Sequence, residues 1–126
     1  MPKLLLIGLG GCCGALARFL IADLAHRWIA SAFPIGTLAV NILGCCAMGA
    51  VMGLINDKGV LGPSAQWLIV IGFLGSFTTF SALGYETLAL FNESQLLLAA
   101  LNAVGNYVLG IGAVLLGRLI VHATMA

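Results

Sequence analysis

The chain has 126 residues, of which 62% are hydrophobic and 7% charged, with a formal net charge of +1. A water-exposed domain carries about 25% charged residues, so this composition argues against a soluble fold. The near-neutral balance, with no basic patch, also argues against nucleic acid as a partner.

The first apolar stretch runs from Leu4 to Leu24 and contains only Arg18 and Asp23 as charges. It follows Lys3 and so looks superficially like a secretion signal. It is too long for a signal's apolar core, carries Arg18 inside and has no clear cleavage pattern, so it reads as a mature helix. The second stretch, Gly36 to Asn56, has no charge. The third, Trp67 to Leu90, has only Glu86, and the fourth, Leu96 to Gly117, has none. Each reaches the roughly 20 residues that a spanning helix needs. The expected fold is therefore an all-α membrane protein. One domain over residues 1–126 holds four transmembrane helices, at about 4–24, 35–56, 66–91 and 96–121.

Glycines punctuate these helices. Gly10 and Gly14 are four apart, as are Gly49 and Gly53, a spacing that lets helix backbones approach closely. The run Gly8 to Gly14 misses the G-x-G-x-x-G register of a nucleotide loop by one residue, and no strand precedes it. Cys12-Cys13 and Cys45-Cys46 do not match metal-site spacing and read as small apolar residues within helices.

The centre of the third stretch is Gly72-Phe73-Leu74-Gly75-Ser76-Phe77-Thr78-Thr79-Phe80-Ser81. Glycines and hydroxyls stand there at membrane depth. Backbone can leave the helix there only if it faces protein, water or an ion, so a break at this depth points to a binding or permeation site. Other polar residues share that depth. Asn41 has Thr37 one turn before it, and Asn102 and Asn106 lie at i and i+4 on one face. Interhelical hydrogen bonds of about 1 kcal/mol each explain a single such residue. The whole set, with Thr78, Thr79 and Ser81, exceeds what packing needs. Phe73, Phe77 and Phe80 fall at helical spacing. They are either ordinary membrane filler or, beside the hydroxyls, a row of positive ring edges suited to a small anion. Arg18 can snorkel to the interface, and Glu86 reads as a paired or interfacial charge. His26 and His122 fall outside the expected spans, and no Ser-His-Asp set, H-E-x-x-H or phosphate loop is present. An enzyme is not expected.

Orientation follows lysine and arginine in the connections. Lys3, Lys58 and Arg118 fall on one side, Arg27 and Arg18 on the other. So small a bias permits insertion both ways, and hence an antiparallel dimer.

Three blocks carry a family resemblance. Gly11 to Phe19 looks like G-x-x-G-A-x-x-R followed by an aromatic. Thr37-Leu38-Ala39-Val40-Asn41-Ile42-Leu43-Gly44 looks like T-L-x-x-N-x-x-G. Gly72 to Ser81 looks like G-x-x-G-x-x-T-T-F-S, with Glu86 at the expected place. Together, over the full length, they resemble the Fluc (CrcB) family of fluoride channels. The resemblance implies an antiparallel dual-topology homodimer with two fluoride pathways. It also implies a structural sodium ion at the dimer interface, held by the backbone carbonyls of Gly75 and Thr78 from each subunit. Phe80 corresponds to the pore phenylalanine and Asn41 to the pore amide. Ser81 begins the polar track, and Asn106, Thr37 and Leu83 line the path. Arg18 corresponds to the vestibule arginine and Glu86 to a structural charge. There are departures. Many members read T-T-F-S-T-F where this chain has Ala82 and Leu83, and Asn102 stands where some carry a tyrosine.

The expected function is passive fluoride export across the bacterial cytoplasmic (inner) membrane by a multi-pass channel, driven by the negative interior. Two other readings fit the size and helix count. One is a dual-topology proton-coupled multidrug exporter, which would use Glu86. The other is a structural membrane subunit without transport of its own.

Overall fold

The structure, a computed structural model, describes residues 2–126, which form helices and short connections with no strand among them. Helix α1 is Pro2–Trp28. Helix α2 is Ile35–Met52, continued by a wider π-helical turn over Gly53–Asp57. Helix α3 covers residues 63–77. It is α-helical over Pro63–Ala65, π-wound over Gln66–Leu74 and α-helical again over Gly75–Phe77. Thr78 (φ −78°, ψ 155°) and Thr79 (φ −144°, ψ 113°) are extended. Helix α4, Phe80–Asn92, follows them, and α5 is Leu96–Thr124. The segments Pro2–Trp28, Ile35–Asp57, Pro63–Asn92 and Leu96–Thr124 are long and apolar enough to cross a membrane. The chain is a multi-pass membrane protein.

Local chemistry sets the ends of these helices. Pro63 opens α3 at the first turn, where its missing N–H leaves no bond unmade. The α4–α5 turn passes through Ser94 in the left-handed region (φ 61°). There Ser94 N–H donates to the Phe91 carbonyl and Gln95 N–H to that of Leu90, at 3.0 and 2.9 Å. These bonds satisfy carbonyls that a helix end leaves open.

Helix pairing follows the small residues. A Cβ at Gly10 or Gly14 of α1 would collide with the carbonyl oxygens of Leu68 and Phe73 on α3. A Cβ at Gly49 of α2 would collide with the Val114 carbonyl of α5, and one at Gly117 of α5 with the Cys46 carbonyl of α2. So α1 grips α3 and α2 grips α5, through the close backbone contact that drives association where lipid is as apolar as protein. Gly53, four residues after Gly49, is not part of this. A Cβ there would meet Val121 at an ordinary 3.5 Å. The true counterpart of Gly49 lies across the interface, at Gly117.

The largest fully enclosed side chains are Leu74, Val40 and Asn102. An amide among them marks the polar interior of the bundle. At one end, Asp57 accepts from Arg118 Nε (2.8 Å) and Nη2 (3.0 Å) and lies 3.1 Å from His122 Nε2. These contacts tie the ends of α2 and α5. The four cysteines are unpaired.

Candidate functional site

The site is built on the two extended residues, Thr78 and Thr79. In an unbroken α-helix, Thr79 N–H would donate to the Gly75 carbonyl. Here it donates to Asn41 Oδ1 at 2.8 Å, while Asn41 Nδ2 donates to the Thr79 carbonyl at 3.3 Å. One side-chain amide from α2 thus satisfies both backbone groups of Thr79. The Thr79 hydroxyl accepts Ala82 N–H at 3.2 Å, an N-cap that starts α4. That N–H would otherwise point at the Thr78 carbonyl. The carbonyls of Gly75 and Thr78 have therefore each lost their ladder donor to a side chain. Thr78 itself closes α3, its N–H and hydroxyl both donating to the Leu74 carbonyl.

From Asn41 a chain of hydrogen bonds runs through the bundle. Asn41 Nδ2 donates to Asn106 Oδ1 at 2.9 Å. Asn106 Nδ2 donates to the Asn102 backbone oxygen at 2.8 Å and to Asn102 Oδ1 at 3.1 Å. Asn102 Nδ2 donates to the Thr87 hydroxyl at 3.0 Å, which donates to the Leu83 carbonyl at 2.7 Å. Helices α2, α4 and α5 are joined this way to the extended segment.

An open groove of about 360 Å³ lies beside this chain, lined by Asn41, Thr78, Thr79, Phe80, Leu83 and Asn106. Cys45 and Met48 of α2 and Tyr107 and Gly110 of α5 form its far walls. A second groove of about 720 Å³ shares Phe80, Leu83 and Tyr107 and is otherwise walled mostly by apolar residues of α4 and α5. Phe80 stands out from the surface, 72% exposed, whereas Leu83 is buried beneath it at 7%.

Five of the residues expected at the site, Asn41, Thr78, Phe80, Leu83 and Asn106, therefore meet at one groove. Ser81 is exposed, with its hydroxyl 3.4 Å from that of Thr79. Thr37 and Glu86 form a separate pair, the Thr37 hydroxyl donating to Glu86 Oε1 at 2.7 Å. Gly75 is exposed on the last turn of α3. Arg18 is half-buried on α1 and lines neither groove. The Phe73, Phe77 and Phe80 spacing does not produce one aromatic row. Phe73 and Phe77 stack on each other with centroids 5.7 Å apart. Phe80 leaves their face because the backbone turns at Thr78 and Thr79.

Sequence reasoning missed Thr87, the partner of Asn102. Its signal was available: an asparagine enclosed at membrane depth needs a polar neighbour, and Thr87 is the threonine of α4. It also missed Tyr107, one residue after Asn106 and on the wall of both grooves.

The family described as "CrcB-like protein, Camphor Resistance (CrcB)" matches residues 5–118. The chain belongs to the CrcB family. Similar CrcB relatives span nearly its whole length. The "Fluoride-specific ion channel FluC" of Maridesulfovibrio salexigens is 42% identical over 125 residues, covering 96% of this chain and 99% of the relative. A protein of the same name from Shewanella sp. is 43% identical over 123 residues, covering 98% of each. Another, from Nitratidesulfovibrio vulgaris, is 42% identical over 117 residues, covering 93% of this chain and 94% of the relative.

Proposed function

We propose that this CrcB-family chain is a fluoride-selective ion channel, not an enzyme, that exports fluoride passively across the bacterial inner membrane and so lowers cytoplasmic fluoride. It works as an antiparallel dual-topology homodimer. The observation that carries the reading is the groove at Asn41, Thr79, Phe80 and Asn106. Polar side chains and non-helical backbone sit in a spanning segment and open on the outer face of a single copy. Such groups are tolerated only against protein or water, and a second copy supplies that cover. The relatives named as fluoride-specific channels make fluoride the fitting ion.

The third span is broken at Thr78 and Thr79, and the break serves two ends. The Phe80 side chain reaches the groove, where its ring edge carries partial positive charge toward an anion. Ser81, Leu83, Asn41, Asn106 and Thr37 border the path, Arg18 draws anions to its mouth, and Glu86 is a structural charge. The Gly75 and Thr78 carbonyls, free of their ladder donors, suit a hard cation that prefers oxygen ligands. From both subunits they would hold a sodium ion at the interface. Held there, the ion would supply fixed positive charge between the two copies. The outward driving force is the membrane potential, about 2.3 kcal/mol per charge per 100 mV.

The test is purified chain in fluoride-loaded liposomes, read with a fluoride electrode while an ionophore balances charge. Efflux well above that of chain-free liposomes is expected. Efflux equal to the blank sinks the reading. Proton-driven uptake of a lipophilic cation, lost in Glu86→Gln, would assign an exporter instead.

A further inference from the structure

We infer that His26 is a pH-dependent counter-charge to Glu86 at one end of the permeation path, and that its protonation speeds fluoride passage. The inference rests on the fluoride-channel reading.

The Thr37–Glu86 bond lies one layer beyond the first groove. Thr37 stands one turn before Asn41 on α2, and Glu86 one turn after Leu83 on α4, while Asn41 and Leu83 line the groove. This layer falls at the first turn of α2. Pro34, the N-cap, gives that turn no side-chain bond, and the carboxylate of Glu86 reaches it through Thr37. The imidazole of His26, in the last turn of α1, reaches the same turn. Its Nε2 lies 3.0 Å from where a Cβ on Gly36 would stand, and the Ala22 carbonyl oxygen lies 3.1 Å from that point. Glycine at 36 leaves the ring room to sit there. From this seat the charge of His26 is felt at the Glu86 carboxylate.

The charges at this layer nearly cancel, so one proton decides their sign. Glu86 brings one negative charge. A helix N-terminus carries about half a positive charge, which leaves about half a negative charge while the imidazole is neutral. A proton on His26 turns that into about half a positive charge. Histidine is the side chain that changes charge between pH 5 and 8, and His26 is exposed, so water can deliver the proton. The other charged groups at this end do not act in its place. Asp23 and Arg27 of α1 are paired with each other at 2.8 Å. Arg18 lies two turns deeper on the same face of α1, and arginine stays protonated. Tyr85, beside Glu86 on α4, is 76% exposed, and Glu93 past the end of α4 lies 3.5 Å from Gln95 Nε2. Residues 35–44 of α2, 63–77 of α3 and 96–106 of α5 carry no titratable side chain. His122 meets Asp57 at the opposite end of α2. A layer of net negative charge repels an incoming anion, and one of net positive charge admits it.

The experiment uses the full chain in fluoride-loaded liposomes with the same pH on both faces. Efflux is measured at about pH 5.5 and about pH 8, across the histidine range, with chain-free liposomes at each pH as the blank. In the unmodified chain, efflux above the blank should be at least about threefold faster at the lower pH, a modest change for a charge focused at a narrow entrance. His26→Gln should be slow at both pH values, and His26→Arg, charged throughout, fast at both. A merely structural ring predicts that the two variants behave alike. Equal efflux in the two, or a pH response that survives in His26→Gln, overturns the inference. The carbon NMR signal of the Glu86 side-chain carboxyl, followed in lipid nanodiscs between the same pH values, reads the charge contact without transport. It should move further in the unmodified chain than in His26→Gln, and equal movement overturns the inference. Efflux equal to the blank at both pH values, with the carboxyl signal still following His26, sinks the channel reading alone.

Discussion

The Thr37 hydroxyl donates to Glu86 Oε1 at 2.7 Å, tying α2 to α4, while Oε2 of the same carboxylate is buried with no partner. Thr37→Val leaves both oxygens unmet and should cost about 1–3 kcal/mol of stability, measured by thermal unfolding in detergent. In a Glu86→Gln background the same substitution should cost less, because no charge is then stranded. A double-mutant cycle with no coupling between the two positions would show that the bond contributes nothing.

Phe80 is an exposed ring at the junction of the two grooves. Phe80→Ile should abolish fluoride efflux from liposomes by removing the ring edge that faces the groove. Size-exclusion chromatography should still give a dimer. Undiminished efflux in this variant would remove Phe80 from the path.

The glycine contacts separate essential from incidental positions. Gly49→Ala and Gly117→Ala each drive a methyl into a carbonyl of the facing helix and should cost about 1–3 kcal/mol by overpacking. Gly105→Ala and Gly112→Ala meet nothing within 4 Å and should be neutral or slightly stabilising through higher helix propensity. Melting temperatures of the four variants check the ranking.

If sodium bridges the copies, the dimer melts at lower temperature when sodium is replaced by a bulky organic cation. A ligand present at 100 times its dissociation constant adds about 2.7 kcal/mol, a shift that thermal denaturation resolves easily. Efflux should fall in parallel. A melting point indifferent to sodium would count against the Gly75 and Thr78 carbonyls as its ligands.

A compartment-sensitive reporter fused to the C-terminus should give signal from both sides of the membrane. Signal from one side alone would oppose dual topology, and with it the antiparallel pair.

The four spans are legible because long apolar runs alternate with short charged connections, and hydropathy alone detects that. Which helix grips which is not legible. The spacing of Gly49 and Gly53 singles out one face of α2, but its counterpart at Gly117 lies on another helix, and no local pattern joins them. The run from Gly72 to Ser81 signals an irregular backbone, since glycines and hydroxyls are poor lipid-facing residues. The position of Asn41 within one spanning run marks it as a polar interior group. Its hydrogen-bond partners, Thr79 and Asn106, lie on other segments, and linear order does not encode such a meeting. The exit of Phe80 from the aromatic spacing has the same origin: helical periodicity holds only where the helix does.

The tightest contacts pair α1 with α3 and α2 with α5, so each partner emerges from the ribosome only after an intervening segment. Neither glycine-lined seam can close until the later member is delivered, and α5 comes last. The nascent bundle must therefore wait in the lipid half-assembled, with Asn41 lacking Asn106, until α5 has been made.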